Sequence, residues 1–208
     1  MIYLASKSPR RTELLSQIGV EHEIIDIEVD ESMDSNQSPQ ENVRALSVLK
    51  CQEGVRKVIA EEKSAFPVLT ADTIVVFEGK IFGKPASESD AISMLMQLSG
   101  KTHSVITGVT IGVISSNQAN FHTISVESSV EFTKLVQDDC LKYCKTNEPF
   151  DKAGGYGIQG YGSAFVKKIN GSYSNIVGLP IHEVVELFKK PSITVPCPSL
   201  NKSGKIPL

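Results

Sequence analysis

Apolar positions along the chain switch between two spacings. Residues 2–5, Ile-Tyr-Leu-Ala, form an unbroken run with the length of a short buried strand. In SKSPRRTELLSQIG, Leu14, Leu15 and Ile18 fall on one helical face, behind Ser8 as N-cap and Pro9 at the first helical position, and Gly19 stops the helix. Residues 23–27 predict a second strand, so the chain opens strand–helix–strand. SPQENVRALSVLK starts another helix, with Ser38 as cap, Pro39 after it and Glu41 where a capping box needs its acid. Residues 66–85, FPVLTADTIVVFEGKIFGKP, predict a long strand with a turn at Glu78 and Gly79. A third helix is expected between Ser87 and Gly100.

The second half is richer in strands. HSVITGVTIGVIS and FHTISVESSVEFTKL, joined by the polar turn SNQAN, predict an antiparallel pair. QDDCLKYCKTN predicts a short helix, and GSAFVKKINGSY a strand running into an Asn170–Gly171 turn. LPIHEVVELFKK predicts a final helix with Pro180 near its start. There is no repeat. Residues 1–190 predict one domain, and residues 191–208 a tail without a packing pattern. Early alternation of helices and strands with later local pairing predicts an α/β fold with a mixed sheet.

Composition narrows the function classes. The 208 residues suffice for a sizeable core, and 40% hydrophobic with 22% charged residues is ordinary for a globular protein. A net charge of −3 argues against general nucleic-acid binding, so any anion site must be local. MIYLASKSPRR meets charge too early for a secretory signal, and no run approaches a membrane span. Cys51, Cys140, Cys144 and Cys197 form no disulfide framework, and the expectation is a cytoplasmic protein with reduced thiols. Cys140 and Cys144 have a spacing zinc can use, but no second Cys/His pair lies near them, and two semi-buried thiols are the simpler reading.

Four stretches carry candidate chemistry. At the first helix, unpartnered N–H groups, the Ser6 and Ser8 hydroxyls and Arg10 or Arg11 suit a phosphate; a plain Ser-Pro cap with solvated arginines explains the same residues. Asp72 interrupts the apolar run 68–77, where an ionised carboxylate needs a partner, a metal or a strand end at a cleft. Lys84, held in the rigid GKP loop, pairs with it as a hydrolytic couple, one group handling metal or water and the other developing charge. In the acidic loop IEVDESMD, Glu31 is the chosen candidate, though such clusters are usually solvated. Gly155, Gly157 and Gly160 match the dinucleotide fingerprint, but no strand precedes them and no helix follows, which excludes a Rossmann site. A conformationally free loop with Gln159 at its centre suits the edge of a flat base instead. His22, His103, His122 and His182 show no metal spacing and are read as structural or surface residues.

Taken together, LASKSPRRTELL, ADTIVV, GKP, LSGKTHSVITGV, EPFDKAGGYGIQG and NGSYSNIVGLP closely resemble the Maf family of nucleoside triphosphate pyrophosphatases, in order, from residue 2 to residue 189. The resemblance implies a two-lobed fold like that of inosine triphosphate pyrophosphatase, a cleft between the lobes, and commonly a homodimer. It implies hydrolysis of a nucleoside triphosphate to monophosphate and pyrophosphate with a divalent cation (Mg²⁺, Mn²⁺ or Co²⁺). By the same resemblance Asp72 is the general base, Glu31 and Asp72 handle metal and water, and Ser8, Arg11, Lys50 and Lys84 contact phosphates. Arg10, Thr73 and Gln159 resemble the specificity set of the dTTP/UTP subgroup. The 7-methyl-GTP subgroup carries a Trp and a Glu, and this chain has no Trp. Cys51 and Gly155 stand where the family more often has alanine. Two alternatives remain: action on 7-methyl-GTP, and a nucleotide-sensing regulator of septum formation.

Overall fold

The computed structural model describes residues 1–115 and 118–190, with Ile193 and Val195. Its elements follow in the order β1 (Ile2–Leu4), α1 (Pro9–Gln17), β2 (His22–Ile24), α2 (Pro39–Ala60), β3 (Val68–Phe77), β4 (Lys80–Phe82), α3 (Glu88–Leu98), β5 (Thr102–Ser115), β6 (Gln118–Phe132), α4 (Gln137–Cys144), β7 (Val166–Asn170), α5 (Tyr173–Val177) and α6 (Ile181–Phe188). The strands make one seven-stranded sheet in the order β2-β1-β3-β5-β6-β7, with β4 added to β3. β1 runs parallel to β2 and β3, and the other pairs are antiparallel. The fold is therefore the mixed α/β class that the pattern predicts.

Local signals account for most boundaries. The Ser38 oxygen accepts the Glu41 N–H at 3.3 Å while the Glu41 carboxylate accepts the Ser38 N–H at 2.8 Å, which completes the capping box of α2. Ser87 caps α3 by accepting the Asp90 N–H. Glu78 and Gly79 both have positive φ, as the two-residue hairpin between β3 and β4 requires.

Several expectations need correction. β2 is confined to residues 22–24, because beyond the Ile25 N–H, which reaches the Leu4 carbonyl, the chain leaves the sheet. Residues 162–165 belong to a 3₁₀ turn, and the strand begins only at Val166. Past Gly171 lies α5, a helix the pattern did not predict, capped by Ser172 accepting the Asn175 N–H. Gln118, Ala119 and Asn120 are already strand residues paired to β5. Ser116 and Asn117, the rest of the expected turn, lie outside the described residues. So does the expected tail, Cys197 included, apart from Ile193 and Val195, which pack on the core.

Alternation along β3 organises the interior. Val68, Thr70, Asp72 and Ile74 face α2: Val68 packs with Cys51, Val55 and Val58, and Ile74 with Val43. Leu69 and Ala71 face the opposite side, in the core built with α1 and α6. Val75 enters another core, with Phe82, Leu95, Phe132 and Tyr156. Gly108 of β5 stands directly opposite Asp72, and a Cβ there would lie 2.4 Å from the Val43 carbonyl oxygen. Glycine at this position lets α2 ride close over the sheet.

The sheet is also interrupted. β1 pairs with β3 only at Val68 and Leu69, and β4 pairs with it only from Val75 to Phe77. Between these contacts residues 70–74 have β5 on one side and no strand among the described residues on the other. Chain leaving β1 and β2 arrives beside this gap.

Candidate active site

A cleft of about 850 Å³ opens at the unpaired stretch of β3. The C-terminal end of β1 leads into the N-terminus of α1 at its wall, so the first-turn N–H groups and the helix dipole favour an anion there. All nine residues expected at the site, from Ser8 to Gln159, line this one cleft.

Asp72 points to the α2 side of β3, where its Oδ1 accepts a hydrogen bond from Lys50 Nζ at 2.5 Å. Lys50 also reaches Glu31 Oε1 at 2.8 Å, so one ammonium bridges both acids. Asp72 is thus a paired carboxylate in mid-strand, and the strand-end alternative does not hold. Burial pushes the Glu31 carboxyl upward, but the Lys50 hydrogen bond and charge, with Lys84 and Arg11, outweigh it and hold Glu31 below the usual range. Below this cluster, Thr70 donates to the Ser47 carbonyl at 2.7 Å and Ser47 Oγ bonds Thr110 Oγ1 at 2.8 Å. Thr70 lies two residues before Asp72 and Ser47 three before Lys50, so this buried polar seam sets the register of α2 on β3.

Thr73 points to the other face, where Arg11 is clamped by three acceptors. Arg11 Nε donates to the Gly178 carbonyl at 2.8 Å, Nη1 to Ser6 Oγ at 2.9 Å and Nη2 to Thr73 Oγ1 at 3.2 Å. The Thr73 hydroxyl in turn meets Thr107 Oγ1 at 2.9 Å, and Thr107 donates to the Asn175 carbonyl at 3.1 Å. With the Thr107 proton spent on Asn175, the Thr73 proton goes to Thr107, and Thr73 accepts from Arg11. Burial lowers the Arg11 pKa, opposed by the Asp72 and Glu31 charges and aided by Arg10, and the guanidinium remains a cation.

The other expected residues are less tied. Ser8 occupies the N-cap of α1 without spending its hydroxyl on a cap bond. Arg10 Nη1 pairs with Asp151 Oδ2 at 3.0 Å. Lys84 is exposed on the GKP loop, which the Gly154 N–H holds by donating to the Gly83 carbonyl. Gln159 is exposed on the cleft wall.

The structure adds partners that the sequence reading had not singled out: Thr107, Asn175, Gly178 and Asp151. Only the LSGKTHSVITGV, NGSYSNIVGLP and EPFDKAGGYGIQG motifs marked their neighbourhoods, and nothing local marks a carbonyl 167 residues away as an arginine acceptor. Among the described residues no group of three His, Cys, Asp or Glu side chains is placed to hold a metal. Cys140 and Cys144 are buried, and burial pushes the Cys140 thiol up to about 11, so they remain thiols. His103 is buried against Tyr156.

These features define an α/β protein with a cleft at a broken sheet edge, walled by a helix N-terminus, a lysine-bridged pair of acids and a clamped arginine. The chain belongs to a family whose model, described as Maf-like protein, matches residues 1–191. It is 45% identical over 189 residues to the dTTP/UTP pyrophosphatase of Caldicellulosiruptor bescii, covering 91% of this chain and 94% of that protein. It is 43% identical over 200 residues to the dTTP/UTP pyrophosphatase of Ralstonia nicotianae (93% and 95% covered), and 44% over 194 residues to that of Bacillus thuringiensis subsp. konkukian (93% and 97%). No described helix is long and apolar enough to cross a membrane.

Proposed function

We propose that the protein is a nucleoside triphosphate pyrophosphatase that hydrolyses dTTP and UTP to the monophosphate and pyrophosphate. The carrying observation is the convergence of Asp72, Lys50, Glu31 and Arg11 in one cleft at the N-terminus of α1. The names of its relatives supply the substrate class.

Arg11 has five N–H donors and spends three on its clamp, leaving two for phosphate oxygens without any need to reorganise. Lys50 keeps its third ammonium hydrogen after bonding Asp72 and Glu31. The free Ser8 hydroxyl, Lys84 and the first-turn N–H groups of α1 complete the phosphate contacts and offset charge on departing pyrophosphate. Asp72 accepts the proton of the water that attacks the α-phosphorus. Arg10 and Gln159 read the base.

A divalent cation fits this site, because two hard carboxylate donors already converge on one positive centre, and magnesium-type ions take few protein ligands when phosphates supply the rest. Glu31 and Asp72 would hold it. Bound there, it supplies charge neutralisation and a more acidic water.

The test is pyrophosphate release from dTTP, UTP and 7-methyl-GTP in parallel, with Mg²⁺, Mn²⁺ or Co²⁺. Faster release from the pyrimidine nucleotides, lost in Asp72→Asn, supports the assignment, and preference for 7-methyl-GTP overturns the substrate.

A further inference from the structure

The glycine-rich segment looks like a phosphate cradle, yet its Gly157, Tyr161 and Gly162 N–H groups are already occupied. Glu148 Oε2 accepts the Tyr161 N–H at 2.8 Å, and Oε1 accepts the Gly162 N–H at 3.0 Å and the Tyr143 hydroxyl at 2.8 Å. The Tyr143 oxygen in turn accepts the Gly157 N–H at 3.1 Å. A Cβ on Gly160 would lie 2.2 Å from Glu148 Oε2, and one on Gly162 would lie 2.8 Å from the Tyr143 oxygen. Gly157, Gly160 and Gly162 thus stand where a loop closes tightly around a carboxylate of its own chain. These bonds tie the loop at Gly157, Tyr161 and Gly162, on either side of Gln159.

Gln159 sits at the middle of this closed turn, one residue before Gly160, and faces the cleft with Tyr156, Gly157 and Ile158. Glu148 does not itself line the cleft or meet the acids around Lys50, and its carboxylate bonds are made to Tyr143 and to the loop backbone. Burial raises the Glu148 carboxyl, but the Gly162 N–H, the Tyr143 hydroxyl, the Tyr161 N–H and the Lys152 charge hold it below its ordinary range. The same short segment also reaches Arg10. Lys152 Nζ donates to the Glu148 carbonyl at 2.8 Å and to Asp151 Oδ1 at 2.5 Å, and Asp151 holds Arg10.

We propose that Glu148 is the positioning residue for base recognition: an internal anion that holds the turn carrying Gln159, so that the amide meets the base edge in one orientation. An amide presents a donor and an acceptor, and turning it over exchanges them. Thymine or uracil, with a ring N–H beside a carbonyl, is separated from cytosine, with a ring nitrogen beside an amino group, only while that orientation is held. This rests on the reading of Gln159 as a base contact.

A double-mutant cycle decides it, with steady-state kinetics on dTTP and dCTP for the wild type, Glu148→Gln, Gln159→Ala and the double variant. Glu148→Gln keeps shape and turns one oxygen into an NH2, which removes the acceptor of the Tyr161 N–H or the shared acceptor of the Gly162 N–H and the Tyr143 hydroxyl. Its KM for dTTP should rise about tenfold, with a similar fall in the dTTP/dCTP preference and kcat within about threefold. The double variant should match Gln159→Ala within about twofold, since Glu148 acts through Gln159. Losses that multiply in the double variant, or a lowered Tm with unchanged KM and preference, would overturn the proposal. Should Glu148→Gln not fold, Tyr143→Phe removes one of the carboxylate's donors and keeps the ring; its smaller KM rise must likewise vanish in the Gln159→Ala background. If the wild type prefers a different triphosphate, the pyrimidine assignment fails, and the same cycle on that nucleotide still decides the role of Glu148.

Discussion

Lys50 of α2 and Asp72 of β3 meet at 2.5 Å on the covered face of the sheet, with side chains only 11% and 12% exposed. Removing one partner of such a pair leaves the other charge buried and uncompensated. Lys50→Met is therefore expected to cost about 3 kcal/mol, measurable by urea unfolding, and to abolish hydrolysis. Adding Asp72→Asn should recover much of the stability and none of the activity.

Chelation separates chemistry from folding in the same cluster. Because the Lys50 ammonium contacts both Glu31 and Asp72, stripping divalent cations leaves neither acid without a counter-charge. Excess chelator should stop pyrophosphate release while Tm moves by less than about 2 °C, the equivalent of roughly half a kcal/mol in a chain of this length.

Arg11→Lys tests the clamp. A lysine carries the same charge but lacks the planar fork that meets the Gly178 carbonyl, Ser6 and Thr73 together. A fall in kcat/KM of about 100-fold is expected, corresponding to about 2.7 kcal/mol of lost transition-state stabilisation. A drop of less than threefold would show that charge alone suffices.

The seam beneath the acids makes a quieter prediction. Thr70→Val keeps the shape and deletes the donor to the buried Ser47 carbonyl. A loss of about 1–2 kcal/mol is expected, together with a lower kcat, because the seam registers Lys50 against Asp72. Unchanged kcat at reduced stability would restrict the seam to folding.

His103 supplies a pH window. Burial lowers its pKa to about 4 from an ordinary 6.5, so the folded protein keeps the ring neutral beside the Tyr156 hydroxyl. The unfolded chain takes up a proton below pH 6.5 and the folded one only near pH 4. This contribution is constant above pH 6.5 and is lost as pH falls through the interval, by about 3 kcal/mol in all. His103→Gln should flatten the dependence of the urea midpoint on pH between 6.5 and 4. Depressed carboxylates such as Glu31 act below about pH 4.5, at the acid edge of that interval.

What could be read in the chain beforehand divides along a physical line. Ser38 with Glu41, Ser87 and the Glu78–Gly79 turn were legible because cap and turn chemistry is written within a few residues. Asp72 was legible as an anomaly, since a carboxylate in an apolar run demands a partner, but its choice of Lys50 depends on how α2 crosses β3. α5 escaped because a five-residue helix has no room for a periodic pattern. The clamp on Arg11 and the closure of the glycine loop on Glu148 were invisible, since both depend on groups that only the folded backbone brings within reach. Thr73 was expected to read the base, yet its hydroxyl is engaged with Arg11 and Thr107, which leaves a single acceptor lone pair for a ligand.

β1 is only three residues long, and its brevity has a consequence for how this groove can diverge. Three further residues zipped onto β3 would cover the rim from Thr70 to Asp72 with main chain and shut the aperture, whatever side chains stood there. On the proposed reading the triphosphate end is dictated by strand length, which point substitutions hardly alter, whereas the base end rests on exchangeable groups such as Arg10 and Gln159. On that reading the accepted nucleobase can change one residue at a time, while the phosphate slot stays as it is.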